Sequence, residues 1–316
     1  MAPLPELKSP VAAAIEAHYR DVQTPQDDEC IRCSKIGEEC ERSLWYSFRW
    51  TMPLERHEGR LERLFDTGRR EEARMVADLR AIGVTVRDLD PETGEQWRVS
   101  FLNGILRGSA DGRGIGIPGA EKTEHLLEFK TMNAKSFQDW RRKGVAESKP
   151  VYYAQCQIYM LGLNLTRALF MAKNKDTEEI ETERVHLDAL AASALIVKAE
   201  RIAYANRPPP KVESFACRWC KHEKVCRYSD WARAHCRTCL HSDLGEDGQW
   251  RCTTTGAVLT IEQQKAGCGA HRYIPELVPG EQTDVAGDIV IYRLHLNGED
   301  WADGVDPKPA APEVRP

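Results

Sequence analysis

From Leu61 to Ile82 the apolar residues Leu61, Leu64, Phe65, Met75, Val76, Leu79 and Ile82 recur mostly three or four apart, which places them on one side of a helix. Gly83 follows and is expected to end it. Beyond it the period changes. The stretches VTVRDL, WRVSFL, GILRGSADGRG and HLLEFKT are extended in character and separated by turn signals such as DPETGEQ, a pattern that predicts a meander of antiparallel strands. AKSFQDWRRKG and PVYYAQCQIYMLGL return to helical spacing, with Pro150 suited to the first turn of the second. RALFMAKN and ETERVHLD read as two further strands and ALAASALIVKAERIAYA as a long helix that NRPPP stops. In this order the elements predict a mixed α/β core, a central sheet flanked by helices.

The two ends differ from that core. VAAAIEAHYR is a short helical pattern followed by the polar stretch DVQTPQDDE, a leader or a small docking helix. After NRPPP, residues 217–271 hold seven cysteines among His, Arg and Trp, with too few large aliphatics for an ordinary core. Such a segment generally needs a metal to fold. The last stretch, WADGVDPKPAAPEVRP, is proline-rich and expected to be disordered.

Composition narrows the class. The 316 residues are 41% hydrophobic and 29% charged with a formal net charge of -5, so nothing in the total advertises a nucleic-acid binder. Local charge says more. Arg42, Arg49, Arg56, Arg60, Arg63, Arg69, Arg70 and Arg74 accumulate early, and Arg141, Arg142 and Lys143 cluster later; solvated helix faces balanced by Glu would look the same. No apolar run reaches membrane-spanning length and MAPLPELKSP lacks a signal-peptide core, so a cytoplasmic, non-membrane protein is expected. In a reducing compartment, eleven clustered cysteines point to metal or iron–sulfur ligation rather than disulfides.

In EHLLEFKTMN, Glu128 and Lys130 are two apart and therefore on one face of a strand that Leu126 and Leu127 lead into a core. A surface strand with an ion pair would have the same letters. Asp111, at the end of GILRGSADG, would come beside Glu128 if the two strands were neighbours. Clustered carboxylates repel unless a cation sits between them, and Mg2+ or Mn2+ suits oxygen ligands. A lysine alongside can hold a water or offset charge on a phosphate.

With these residues the chain resembles the PD-(D/E)xK nuclease superfamily, in its RecB-like and CRISPR-associated iron–sulfur exonuclease branch. That branch carries an acidic or histidine ligand on a helix, then a strand Asp, a strand Glu-x-Lys and a helix Gln-x-x-x-Tyr. Matching positions here are Glu72 (with Glu71 as the neighbouring alternative) in GRREEARMV, Asp111, Glu128 with Lys130, and Gln155 with Tyr159 in QCQIY. The resemblance covers about residues 40–226 and lies in the order of the elements. It implies a restriction-endonuclease-like core in which Glu72, Asp111 and Glu128 hold Mg2+ or Mn2+ and Lys130 serves the reaction. Gln155 and Tyr159, four apart on one helix face, would position the strand or brace the lysine.

CRWCKHEKVC supplies Cys217, Cys220 and Cys226, three thiols in a short loop and a strong ligand signal. The resemblance implies a [4Fe-4S] cluster completed from upstream by Cys40 in CERSLWYSFRW, with Cys33 and Cys30 as runners-up. Zinc uses similar thiolate sets. A second set, Cys236, Cys239, Cys252 and Cys268, has the spacing of a zinc ribbon, with His271 able to replace Cys268. Cys156 reads as buried packing, and Cys30 with Cys33 form a further C-x2-C.

The expected organisation is thus a leader (1–30), a nuclease domain closed by a cysteine cluster (31–230), a zinc-ribbon-like module (231–280) and a tail (281–316). The expected activity is that of a metal-dependent deoxyribonuclease, an exonuclease of recombination, repair or phage DNA metabolism acting on single strands or duplex ends. A catalytically idle DNA-binding or scaffold subunit that docks a helicase or recombinase is the rival. An iron–sulfur redox protein would leave the ordered acidic motifs as coincidence.

Overall fold

A computed structural model describes residues 9–228, 230–287 and 289–306. The chain begins with α1 (Pro10–Asp21), β1 (Ile31–Arg32), α2 (Glu41–Phe48), α3 (Gly59–Ala81), β2 (Thr85–Arg87), β3 (Trp97–Phe101), β4 (Leu106–Ala110) and β5 (Gly112–Ile115). It continues through β6 (His125–Met132), α4 (Ala134–Lys143), α5 (Val145–Ser148), α6 (Pro150–Gly162), β7 (Arg167–Asn174), β8 (Ile180–His186) and α7 (Ala189–Ala203). Then follow α8 (Glu223–Arg227), β9 (Ser242–Leu244), β10 (Trp250–Cys252), α9 (Ile261–Ala266), β11 (Gly280–Ala286), β12 (Ile289–Leu294) and β13 (Asp300–Ala302). Contacts divide them into two units, each assembled from separated stretches: residues up to Asp27 with Leu54–Val99 and Ser109–Ala192, and Asp28–Pro53 with Ser100–Gly108 and the chain from Ser193 on.

The first unit is built on a five-stranded sheet of order β2-β5-β6-β7-β8. β6 and β7 are parallel, and the other pairs are antiparallel. A parallel pair needs a long crossover, and α4, α5 and α6 supply it. β6 and β7 are the central strands and almost wholly buried, whereas β8, at the edge, is largely open. Leu127, Phe129, Leu169 and Met171 join Met75, Val76 and Leu79 of α3 in one hydrophobic cluster. α3 ends as the sequence predicts, with Gly83 at φ +89, a conformation only glycine adopts without strain. At the other end α1 crosses so closely that a Cβ on Gly59 would sit 1.9 Å from the Glu16 carbonyl oxygen.

The expected meander is divided. β2, β5 and β6 are antiparallel neighbours, but β4 pairs in parallel with β1, Ile31 opposite Leu106, in a separate sheet. Local alternation cannot reveal this, because the partner lies some seventy residues upstream in DDECIRC.

In the second unit, aromatic side chains do the work that aliphatics do elsewhere. Trp45, Tyr46 and Phe48 of α2 are buried, and Trp45 Nε1 donates to the Ala205 carbonyl at 2.8 Å. Trp231, Tyr273, Tyr292 and Trp301 form a second buried cluster. The expectation of a tail over 281–316 is corrected here: β11, β12 and β13 form an antiparallel sheet, and Trp301 is buried within it. IVIYRL alternates as a strand should and LNGED turns it; the proline content further on concealed that pattern. Residues 307–316 of the expected tail lie outside the described residues.

Candidate active site

Asp111 occupies the bend between β4 and β5, immediately before Gly112 pairs with Leu127 of β6. The register carries its carboxylate to the backbone of β6, where Oδ2 accepts from the Phe129 N–H at 2.8 Å. Alternation along β6 then sorts the side chains. Leu127 and Phe129 enter the hydrophobic cluster with α3, while Glu128 and Lys130 share the other face and form an ion pair. The Lys130 ammonium also stands 5.1 Å from the ring centre of Tyr152 on α6, a favourable cation–π distance.

Glu72, Asp111, Lys130 and Tyr152 line one cavity of about 560 Å³, together with Leu64, Phe65, Asn133, Ser136 and Lys175 among others. Glu128 lies behind this wall, fully buried, with Oε2 lacking any hydrogen-bond partner. Burial pushes the Glu128 carboxyl up to about 8, helped by Asp111 and Glu72 and opposed by Lys130. Glu72 is pushed up to about 7 by burial and by Asp111. Asp111 is raised by burial, against the pull of Lys130 and the Phe129 N–H. Burial works against the charge on Lys130, yet Glu128 and Asp111 outweigh it and hold the ammonium charged. Three carboxylates thus share one lysine, a donor set of hard oxygens short of positive charge, which fits a divalent cation.

The other expected residues fall differently. Glu71 turns away to pair with Lys173 at 2.7 Å, so of the two neighbours it is Glu72 that reaches the cavity. Gln155 and Tyr159 are 6% and 2% exposed and do not line the cavity. Their helix presents Tyr152 instead, three residues before Gln155 and on the same face, so helical spacing alone could have found it. Lys175 and Asn133, just beyond strand ends, and Ser136, in the first turn of α4, escape sequence reasoning because no motif marks them. The basic runs expected to meet phosphates are largely engaged within the protein: Arg141 with Glu179 and Glu181, Lys143 with Asp139 and Glu147, Arg70 with Asp66, Arg74 with Glu178.

In the second unit Cys40, Cys217, Cys220 and Cys226 line one small cavity with Arg42, Tyr46, His222 and Arg227. Arg227 donates to the Cys217 sulfur at 3.2 Å, and burial raises the Cys40 thiol with Cys220 and Cys226 adding to it. Cys30 and Cys33 do not line this cavity, which favours Cys40 among the three upstream choices. Cys236 is pushed up to about 11 by burial and by its neighbours Cys239, Cys268 and Cys252, so the second set also converges. His271 Nε2 instead lies 3.3 Å from the Thr238 hydroxyl. Both sulfur-rich sets have the soft donors that iron–sulfur clusters and zinc take. Among the described residues, no group of three or more His, Cys, Asp or Glu stands where it could hold a metal ion.

Fold and cavity define a mixed α/β protein with an acidic, lysine-bearing cleft beside its central strands. No protein-family model matches the chain and no curated protein matches it. Solved structures that resemble it include that of SSO0001, at 12% identity and TM-score 0.40, over 69% of this chain and 97% of that one. Another is an alkaline exonuclease (LHK-Exo) from Laribacter hongkongensis, at 13% identity and TM-score 0.39, over 59% of this chain and 90% of that one. The same exonuclease in complex with dAMP matches at 15% identity and TM-score 0.39, over 60% and 90%. Likenesses this low carry no argument about activity. Among the described residues, no helix is long and apolar enough to cross a membrane.

Proposed function

We propose that the protein is a metal-dependent DNA nuclease, an exonuclease of recombination, repair or phage DNA metabolism. The observation that supports this most is the convergence of Glu72, Asp111 and Lys130 on one open cavity, with Glu128 buried behind and one of its oxygens unpartnered. Glu72, Asp111 and Glu128 would hold Mg2+ or Mn2+, which when bound supplies a Lewis acid and a water of lowered pKa. Lys130 keeps its proton and offsets negative charge at the scissile phosphate. Tyr152 stands beside Lys130 and limits where its ammonium can go. Gln155 and Tyr159 are buried on the same helix and would brace this arrangement from behind.

Cys40, Cys217, Cys220 and Cys226 would carry a [4Fe-4S] cluster, with Arg227 as a hydrogen-bond donor to one ligand sulfur. Cys236, Cys239, Cys252 and Cys268 would hold zinc as a structural ion. The test is purification without oxygen, a visible spectrum with metal analysis, and digestion of end-labelled single and double strands with Mg2+ or Mn2+ beside Lys130→Ala. Equal digestion by wild type and variant would defeat the nuclease reading. A colourless protein with zinc at both cysteine sets would defeat the cluster alone.

A further inference from the structure

Both cysteine sets lie in the second unit, and both touch the same helix. α2 has eight residues, about 12 Å at the usual rise per residue. Its N-cap is Cys40 of the first set. Arg42, Ser43 and Tyr46 line the cavity of the four cysteines. Further along, Ser47 Oγ lies 3.0 Å from His222 Nε2, and the Tyr46 ring is 5.4 Å from the His222 ring. His222 is 1% exposed and stands between Cys220 and Cys226. One face of α2 thus carries a cysteine of the first set and braces the stretch that holds the other three.

The other end of α2 is held from the second set. Arg237, between Cys236 and Cys239, is 1% exposed and donates from Nη1 to the Phe48 carbonyl at 2.8 Å. That carbonyl is among the last four of the helix, which find no partner inside it, and a cation there also suits the helix dipole. The guanidinium lies 3.7 Å from the ring centre of Trp50 and 5.0 Å from that of Trp250, two residues before Cys252. Its Nε donates to Gln264 Oε1 at 2.8 Å, four residues before Cys268. His235, on the other side of Cys236, adds a second grip: Nε2 donates to the Trp50 carbonyl at 2.9 Å and Nδ1 accepts from the Arg237 N–H at 3.2 Å. Both neighbours of Cys236 therefore clasp the end of the helix that Cys40 begins.

We propose that α2 couples the two cysteine sets, so that an ion held by Cys236, Cys239, Cys252 and Cys268 secures whatever Cys40, Cys217, Cys220 and Cys226 hold. An ion on Cys236 and Cys239 fixes the backbone on both sides of Arg237, and with it the anchor of Phe48 and Trp50. When the ion leaves, that anchor loosens, and a short helix passes the displacement to Cys40 and Ser47 as a rod. That the two sets hold a cluster and zinc rests on the function proposed above. The packing of α2 between them does not.

The experiment follows metal in the full chain purified without oxygen, with iron and zinc counted by elemental analysis and their release timed against a chelator. Arg237→Met keeps every cysteine and removes the hydrogen bonds to Phe48 and Gln264. It retains zinc and loses iron about 10-fold faster than wild type, a size usual for coupled sites. Cys239→Ser loses zinc and releases iron as fast. Trp301→Leu is the control, because Trp301 is buried against Trp231, Tyr273 and Tyr292, none of them on α2. It lowers the melting temperature and leaves iron release unchanged. Coupling is reciprocal at equilibrium, so Cys40→Ser also weakens zinc binding in competition with the chelator.

Iron release at the wild-type rate in Cys239→Ser or in Arg237→Met overturns the coupling and leaves the cluster standing, and so does equal acceleration in Trp301→Leu. Wild type with zinc at both sets defeats the cluster, while the coupling stands if Arg237→Met speeds the loss of both ions and falls if it does not. Wild type that holds neither metal removes both.

Discussion

The acidic cleft and the four-cysteine cavity both gather groups that repel one another once ionised, and they accommodate that repulsion by different means. In the cleft, two of the three carboxylates are mounted on the framework of a buried sheet, Asp111 tied to the Phe129 N–H and Glu128 to a lysine on its own strand, and Glu72 comes from α3. Three of the cysteines sit instead on one short stretch, Cys217 in a 3-10 turn at Phe215–Trp219, Cys220 just after it and Cys226 in the five-residue α8, while Cys40 precedes α2. Around that loop Phe215, Trp219 and Tyr228 are largely exposed, so little apolar burial holds it in place. The cleft is held by its sheet, whereas the loop has little of its own to hold it and, on the proposed reading, would gain its order from a cluster or metal on its thiols. Damage to the first should therefore cost chemistry, and damage to the second should cost stability.

The sharpest test of that contrast is Lys130→Ala. Its loss should slow DNA hydrolysis on the order of 10³-fold, the scale of removing one group that meets transition-state charge. Melting should move little, because Glu128, already raised to about 8, takes up a proton when its partner goes. A large loss of stability with activity intact would invert the comparison.

Cys220→Ser should do the reverse. One equivalent of iron–sulfur or metal is lost, and the melting temperature falls by roughly 10 °C, as expected for a few kcal/mol in a unit of this size. Metal analysis with differential scanning calorimetry reads both quantities. Unchanged metal content would remove Cys220 from the ligand set.

A third test uses pH. Glu72 and Glu128 are raised to about 7 and about 8 in the folded chain, above the carboxyl values of an unfolded chain, about 4.3. Their contribution to metal-free stability is therefore complete below the unfolded value and is lost as pH rises through 7 and 8. Protons and cations compete for the same oxygens, so Mn2+ affinity measured by titration calorimetry should rise across that window. Glu72→Gln should weaken binding and flatten the lower part of the curve. An affinity independent of pH from 6 to 9 would mean that these carboxylates do not hold the ion.

The smallest effect should come from Glu71→Gln. Its partner Lys173 also pairs with Glu178 at 2.8 Å, so the loss should be about 1 kcal/mol or less. Activity should stay within about twofold of wild type, since Glu71 does not line the cleft. Loss of activity as large as that of Glu72→Gln would erase the distinction between the two neighbours.

Much of the first unit was legible because its signals are local. The period of Met75, Val76 and Leu79, Gly83 after them, Pro150 at the start of α6 and the alternation of β6 each follow from one short stretch of chain. The same period includes Leu64 and Phe65, which line the cleft and stay 46% and 44% exposed. Periodicity reports which side of a helix is apolar and nothing about what that side meets. The pairing of β1 with β4 and the folded sheet at β11–β13 escaped for a related reason, since a strand's partner is chosen by tertiary contact.

By itself, the order of residues determined that Glu128 and Lys130 share a face, that Asp111 sits at the end of GILRGSADG among small residues, and that three cysteines crowd into one short stretch. Those are consequences of a two-residue strand repeat and of chain spacing, which no distant contact can change. Only the tertiary structure decided that Glu72 rather than Glu71 reaches the cleft, that Cys40 rather than Cys30 or Cys33 lines the sulfur cavity, and that Tyr152 stands over Lys130 while Gln155 and Tyr159 are buried. Each of those choices depends on the rotation of an element against its neighbours, which is set by side-chain packing across the core and is invisible along the chain.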